Sequence, residues 1–293
     1  MDDISVRNPI SYLVFDIESV PDPALVSLVR THGKQDPEVA LQEYRDELIA
    51  KNGVDFVPYT YQVPISLALA KLREDLTLDD LIVLKVEELG PDGICRRFWQ
   101  GWDYYNHPML VSFNGRRFDM PLLEHTAFRY GLSLRSWMTD YSGGKANRNR
   151  FNNTHLDLYD FMTNYGACTF CGGLDLAAKA LHKSGKIDVK GEMVQEMFDQ
   201  NRLSEIHSYC RCDVLDTYFV FLRYQLMRGV ISTEEEQNLI EKTRAFLEAR
   251  ADTEPVYREY LDAWRDNDEF LRKNNIFAAF EKNAAAQSRK NQK

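Results

Sequence analysis

A chain of 293 residues with 44% hydrophobic and 12% aromatic side chains has ample material for a sizeable buried core, which argues against a disordered chain. The formal net charge of −9, with a pI near 5.3, argues against a protein that grips long duplex by neutralising many phosphates; a short local footprint helped by metal ions remains open. No apolar run approaches the ~18–20 residues of a membrane span, and Asp2 and Asp3 stand where a secretory signal needs basic residues, so no membrane association and a cytoplasmic location are expected.

In chain order, residues 11–15 (SYLVF) predict a short buried strand that leads into Asp16-Ile17-Glu18 and is stopped by Pro21 and Pro23. Residues 24–51 are charged with helical spacing of leucines, and predict a helical insertion. Residues 63–72 (VPISLALAKL) and 81–87 (LIVLKVE) read as the second and third strands, followed by a turn at Gly90-Pro91-Asp92-Gly93 and a helix from about 94 to 102. Residues 109–113 (MLVSF) read as a fourth strand, Asn114-Gly115 as a turn, and 119–130 as a helix. Residues 140–153 are rich in glycine, asparagine and basic residues without apolar periodicity, and predict a loop suited to substrate contact. A short strand near 156–158 is expected next, then helices over 174–181, 192–200, 203–229, 233–250 and 254–273, and an unstructured tail over 283–293.

The five cysteines are too few and too unevenly spread for a disulfide framework. Cys168-x-x-Cys171 and Cys210-x-Cys212 raise a zinc site, but positions i and i+2 of the expected long helix do not share a face. Buried or incidental thiols are the alternative.

Three groups of acids bear on chemistry. Two-metal hydrolysis of a phosphodiester needs one carboxylate shared by both ions, further carboxylates to fix each ion, and a group to orient the attacking water. Hard divalent ions such as Mg²⁺ and Mn²⁺ take oxygen ligands, so aspartate and glutamate are the residue types to seek. Asp16 and Glu18 are alternate residues of a strand and point to one face; a solvated strand end is the plainer reading. Asp119 in Asn114-Gly-Arg-Arg-Phe118-Asp119 falls at a strand–helix junction, where an ordinary N-cap would also place it. Tyr209 and Asp213 lie one helical turn apart, so the phenol could orient a water beside the carboxylate; a half-buried helix tyrosine would look the same.

Taken together, in the order strand end, strand–helix junction and late helix, these stretches (FDIES, NGRRFD and YCRCD) resemble the three motifs of the DEDD 3′→5′ exonuclease superfamily. Tyrosine at 209 resembles the tyrosine-bearing branch. SFNGRRFDMPLL and HLDLYD resemble the exonuclease domain of family-B DNA polymerases, and within that group the stand-alone predicted exonucleases related to it. The resemblance spans about residues 12–228; the remaining roughly 65 residues are too few for polymerase domains. It implies an α/β, RNase H-like mixed sheet flanked by helices over 1–230, with a C-terminal helical extension over 231–282. It implies a metal-dependent 3′→5′ exonuclease in which Asp16, Glu18, Asp119 and Asp213 hold two divalent ions, Mg²⁺ or Mn²⁺, and Tyr209 assists. It implies nucleic-acid 3′ ends as substrate, single-stranded DNA first, with RNA trimming or a non-catalytic nucleic-acid-binding module as alternatives.

Asn114 matches a substrate-end asparagine of the second motif, or is a turn residue. Phe118 could stack on a terminal base or pack beside Asp119. Arg116 and Arg117, with Lys145, Arg148 and Arg150, are the basic candidates for phosphate contacts, against a solvated charged loop. Asp157 reads as a strand-end acid, with a further acid near the site as the alternative, and His155 and His207 are not expected to bind oxygen-preferring ions.

Overall fold

A computed structural model describes residues 9–139, 147–149, 154–185 and 193–274. Lys145, Arg150 and the expected tail over 283–293 lie outside the described residues. The central strand, β1 (Ile10–Pro21), pairs antiparallel with β2 (Gln62–Arg73), which pairs antiparallel with β3 (Leu78–Lys85). On its other side β1 pairs in parallel with β4 (Met109–Ser112), and β4 with β5 (His155–Asp157). The order β3-β2-β1-β4-β5, with β2 the antiparallel member, is a mixed α/β sheet of the RNase H-like type.

The period-2 alternation of β1 divides the core. Leu13, Phe15 and Ile17 face α3 (Val86–Tyr104) and α4 (Asp119–Tyr130), where Phe98, Trp99, Trp102 and Leu123 are buried with them. Val14 faces α9 (Leu203–Met227), and Tyr12 meets Phe221 of that helix at 5.2 Å between ring centroids. Asp16 and Glu18 share the parity of Val14 and therefore also lie on the α9 side. Behind α9, α10 (Thr233–Glu248) and α11 (Val256–Asn274) bury Leu239, Tyr257, Tyr260 and Trp264 in the same cluster as Val14 and Phe219.

The 24–51 stretch forms α1 (Pro23–Thr31) and α2 (Pro37–Asn52). Each starts with proline preceded by an aspartate whose carboxylate accepts backbone N–H groups, Asp22 from Leu25 and Asp36 from Glu38 and Val39. The pair buries a small core of its own around Val26, Leu41 and Leu48. Short helices α5 (Arg135–Met138), α6 (Leu158–Met162), α7 (Gly173–Ala180) and α8 (Val194–Asp199) complete the described chain. Among the described residues no helix is long and apolar enough to cross a membrane.

Two boundaries differ from the sequence expectation. β1 ends at Pro21, where proline was expected to stop it, but it stays paired with β2 to that point, so Asp16 and Glu18 lie inside the strand and not at its end. The third strand stops at Lys85, because Glu87 and Glu88 open α3, where carboxylates are favoured by the helix dipole. The expected turn at 90–93 is a kink within α3: Gly90 leaves helical geometry at φ 69° and Pro91 restarts it.

Candidate active site

Along β1, the pairing with β4 covers Tyr12, Leu13 and Val14, so the second half of β1 runs on beyond the end of its parallel neighbour. A strand edge exposed in this way has backbone groups without a ladder partner. Asp119 supplies one: its Oδ1 accepts the N–H of Ile17 at 3.1 Å, between Asp16 and Glu18. The N-cap of α4 is Phe118, whose side chain makes no capping bond, and Asp119 is the first helical residue. Its carboxylate is therefore turned to β1, and the ordinary N-cap reading of this residue does not hold.

The loop that delivers Asp119 is fixed from β5. Asn114 adopts a left-handed φ of 66°. The carboxylate of Asp157 accepts the N–H groups of Asn114 at 2.7 Å and Arg116 at 2.9 Å, and also that of Tyr159 at 3.0 Å. Gly115 packs so closely that a Cβ there would lie 2.6 Å from Ser112 Cβ and 3.2 Å from Asp119 Oδ2. Arg116 donates from Nε to Asp160 at 2.9 Å and from Nη2 to the His155 carbonyl at 3.0 Å. His155, held by Ser112 at 2.8 Å, has its pKa lowered to about 3 by burial and by Arg116.

The third group comes from α9, which lies along the even-numbered face of β1. Carboxylate oxygens of Asp16 and Glu18 and the sulfur of Cys210 all lie within 4.8 Å of one another. Tyr209 is buried against this cluster. Its pKa is raised strongly, by burial first and then by the carboxylates of Asp213, Glu18 and Asp16 and a hydrogen bond with Asp213. Burial and these carboxylates favour its protonated form, which can donate a hydrogen bond. Asp213 is 6% exposed. Asp119 is equally buried, and its pKa is raised to about 7 by burial, with the charges of Asp157 and Asp213 adding to the rise.

The structure thus brings Asp16, Glu18, Asp119, Tyr209 and Asp213 into one electrostatic neighbourhood. The donor set fits hard divalent cations: clustered carboxylate oxygens, two of them adjacent, with a buried acid whose charge is unfavourable unless offset. Cys210 is the member that sequence reasoning missed, although it stands inside YCRCD. Its thiol donates to the Asp16 carbonyl and accepts from Ala68 N–H, both at 3.3 Å, and burial raises its pKa well above the ordinary value. It is a packing thiol against the acids rather than a ready thiolate.

The remaining residues are dispersed. Asn114 stands beside the loop clamp, and half-buried Phe118 has its ring 5.7 Å from that of Phe56. Arg148 pairs with Glu124 at 2.8 Å on the outer side of α4. His207 bonds Ser66 at 2.8 Å and Glu87 at 3.0 Å, which fastens the start of α9 to β2 and α3. Cys168 and Cys171 are exposed, whereas Cys210 and Cys212 are buried within α9.

The family described as "predicted 3′-5′ exonuclease related to the exonuclease domain of PolB" matches residues 54–264. That span includes residues 114–119, Tyr209 and Asp213, and it begins after Asp16 and Glu18. It also runs past 228 into α11, further than the motifs alone suggest. No curated protein matches the chain. Among solved structures it is similar to the family B DNA polymerase from the hyperthermophilic archaeon Pyrobaculum calidifontis, with a TM-score of 0.47 and 17% identity over 74% of this chain and 25% of that chain. The chain spans about a quarter of that polymerase's length.

Proposed function

The chain belongs to the family of predicted 3′-5′ exonucleases related to the exonuclease domain of PolB, and from that premise we propose that it is a metal-dependent 3′→5′ exonuclease of the tyrosine-bearing DEDD branch. Its proposed reaction removes 5′-mononucleotides from the 3′ ends of single-stranded DNA. The observation that carries this reading is the convergence of acids from β1, α4 and α9 where β1 outruns β4, with Asp119 bonded between Asp16 and Glu18.

In this reading two divalent ions, Mg²⁺ or Mn²⁺, supply activation of a water and stabilisation of the charge that develops on the leaving oxygen. Asp16, Glu18 and Asp213 would hold one, and Asp16 and Asp119 the other. Tyr209, kept protonated, would donate a hydrogen bond that orients the attacking water in line with the scissile bond. Asn114 and Phe118 flank the mouth of the loop and would meet the terminal nucleotide. Arg116, tied to Asp160 and His155, would present its remaining N–H groups to phosphate.

The test is degradation of 5′-labelled single-stranded DNA, duplex DNA and RNA side by side in Mg²⁺ and Mn²⁺. The expected result is a ladder of shortened single-stranded DNA that keeps its 5′ label, with a single-stranded circle left intact. Preferential shortening of RNA would transfer the same chemistry to an RNA substrate. Degradation of no substrate, or internal cutting of the circle, would overturn the reading.

A further inference from the structure

We propose that the outer side of α4 and the loop over 54–61 form a stacking strip for an unpaired nucleic-acid strand, leading its 3′ end to the carboxylates; this rests on the exonuclease reading above. Phe118, the N-cap of α4, and His125 and Phe128, one turn apart near its other end, lie along this helix. The first immediately precedes Asp119, and the last lies about 15 Å further along the helix. Phe128 is 83% exposed and Phe56 is 59% exposed. Such rings gain little from the core, and here each has a further ring beside it.

The linkage is seen ring by ring. Phe56 meets Phe118 at 5.7 Å between centroids, Tyr59 meets His125 edge-on at 6.3 Å, and His125 stacks on Phe128 at 6.2 Å with planes 23° apart. The 3₁₀ turn at Tyr59–Tyr61 packs on α4, so loop and helix present one surface. Arg148, 57% exposed, pairs with Glu124 of α4 and interacts electrostatically with Tyr59.

Unpaired nucleobases suit this surface better than a protein partner. They offer flat faces of any sequence, the strip starts at the acids proposed to cut the strand, and Arg148, paired with Glu124, is a cation available to the backbone. A chain of net charge −9 has little scope to hold a strand by phosphate neutralisation alone, so stacking is the contact it can supply.

The test is fluorescence anisotropy of a 5′-labelled oligothymidylate of about 20 nucleotides, in Ca²⁺ without Mg²⁺ or Mn²⁺. The full chain is compared with Phe56→Ala, Phe128→Ala and Phe128→Tyr. Each alanine variant is expected to raise Kd about tenfold, while Phe128→Tyr stays within about twofold of the parent. Cleavage of a dinucleotide, too short to reach Phe128, is expected to be unchanged in Phe128→Ala. If the parent binds and degrades the oligonucleotide and the alanine variants bind it equally well, the strip is wrong and the exonuclease reading stands. If the parent neither binds nor degrades it, both fall.

Discussion

The N–H of Ile17 donates to Asp119 Oδ1 at 3.1 Å, so the acid that opens α4 is fastened to the strand between the two acids of β1. Asn at 119 keeps an oxygen for that bond and loses the charge; Ala loses both. Asp119→Asn is expected to fold with undiminished metal-free melting temperature and to lose activity by at least about a hundredfold. Asp119→Ala is expected to be less stable than Asp119→Asn by about 1–2 kcal/mol, since the Ile17 N–H is orphaned. Denaturant titration and turnover of labelled DNA check both; equal stability of the two variants would show that the bond contributes nothing.

The same carboxylate gives stability a pH dependence. Burial, with Asp157 and Asp213 nearby, raises the Asp119 pKa from 3.8 to about 7. A raised folded-state pKa means that the associated stability is fully present below about 4 and is lost as pH rises through about 7. Buried Asp216, raised to about 8, adds in the same direction. Without metal, therefore, the difference in melting temperature between parent and Asp119→Asn is expected to move in favour of the variant as pH rises from about 4 to 7. Added Mn²⁺ should stabilise the parent more at pH 8 than at pH 5.5, because the ion takes the ionised acid. Thermal melts over that range check it, and a metal effect independent of pH would contradict it.

Tyr209 is expected to work as a donor. Tyr209→Phe keeps the ring that packs against α9's neighbours and removes the hydroxyl. The rate should fall by roughly ten- to a hundredfold, with the alkaline limb of the pH–rate profile unmoved, since burial and the neighbouring carboxylates favour the protonated phenol. A limb that disappears in the variant would instead assign Tyr209 as a base.

Much of the site was legible in the chain. The period-2 spacing of Asp16 and Glu18, and the one-turn spacing of Tyr209 and Asp213, identify side chains that share faces, and both faces meet between β1 and α9. The bond from Ile17 to Asp119 was not legible, because it depends on β4 ending at Ser112 while β1 continues to Pro21, a tertiary fact with no local signal. Arg116 reads as a free cation in NGRRFD, yet Asp160 and the His155 carbonyl engage it from 40 or so residues away. LIVLKVE continues an apolar alternation past Lys85, so only the helix-favouring Glu87 and Glu88 hint at the true boundary. Nothing local distinguishes exposed Phe128 from the buried residues of the same helix.

Gly115 is required for its lack of a side chain. A Cβ there would lie 2.6 Å from Ser112 Cβ, so either β4 or the loop clamped by Asp157 would have to shift. Gly115→Ala is expected to cost about 1–3 kcal/mol and to reduce activity with it, by displacing Asp119. Denaturant midpoints and turnover would be measured together; a stable, fully active variant would show that the loop is softer than its contacts imply.

The central claim, that these carboxylates carry metal-dependent hydrolysis at a 3′ end, is tested most directly by incubating 5′-labelled single-stranded DNA with parent and Asp16→Asn protein in Mn²⁺. Both should have matching metal-free melting temperatures. The account predicts a ladder of 5′-labelled products and released 5′-mononucleotide from the parent, and an intact strand from the variant. Equal degradation by the two proteins would contradict it.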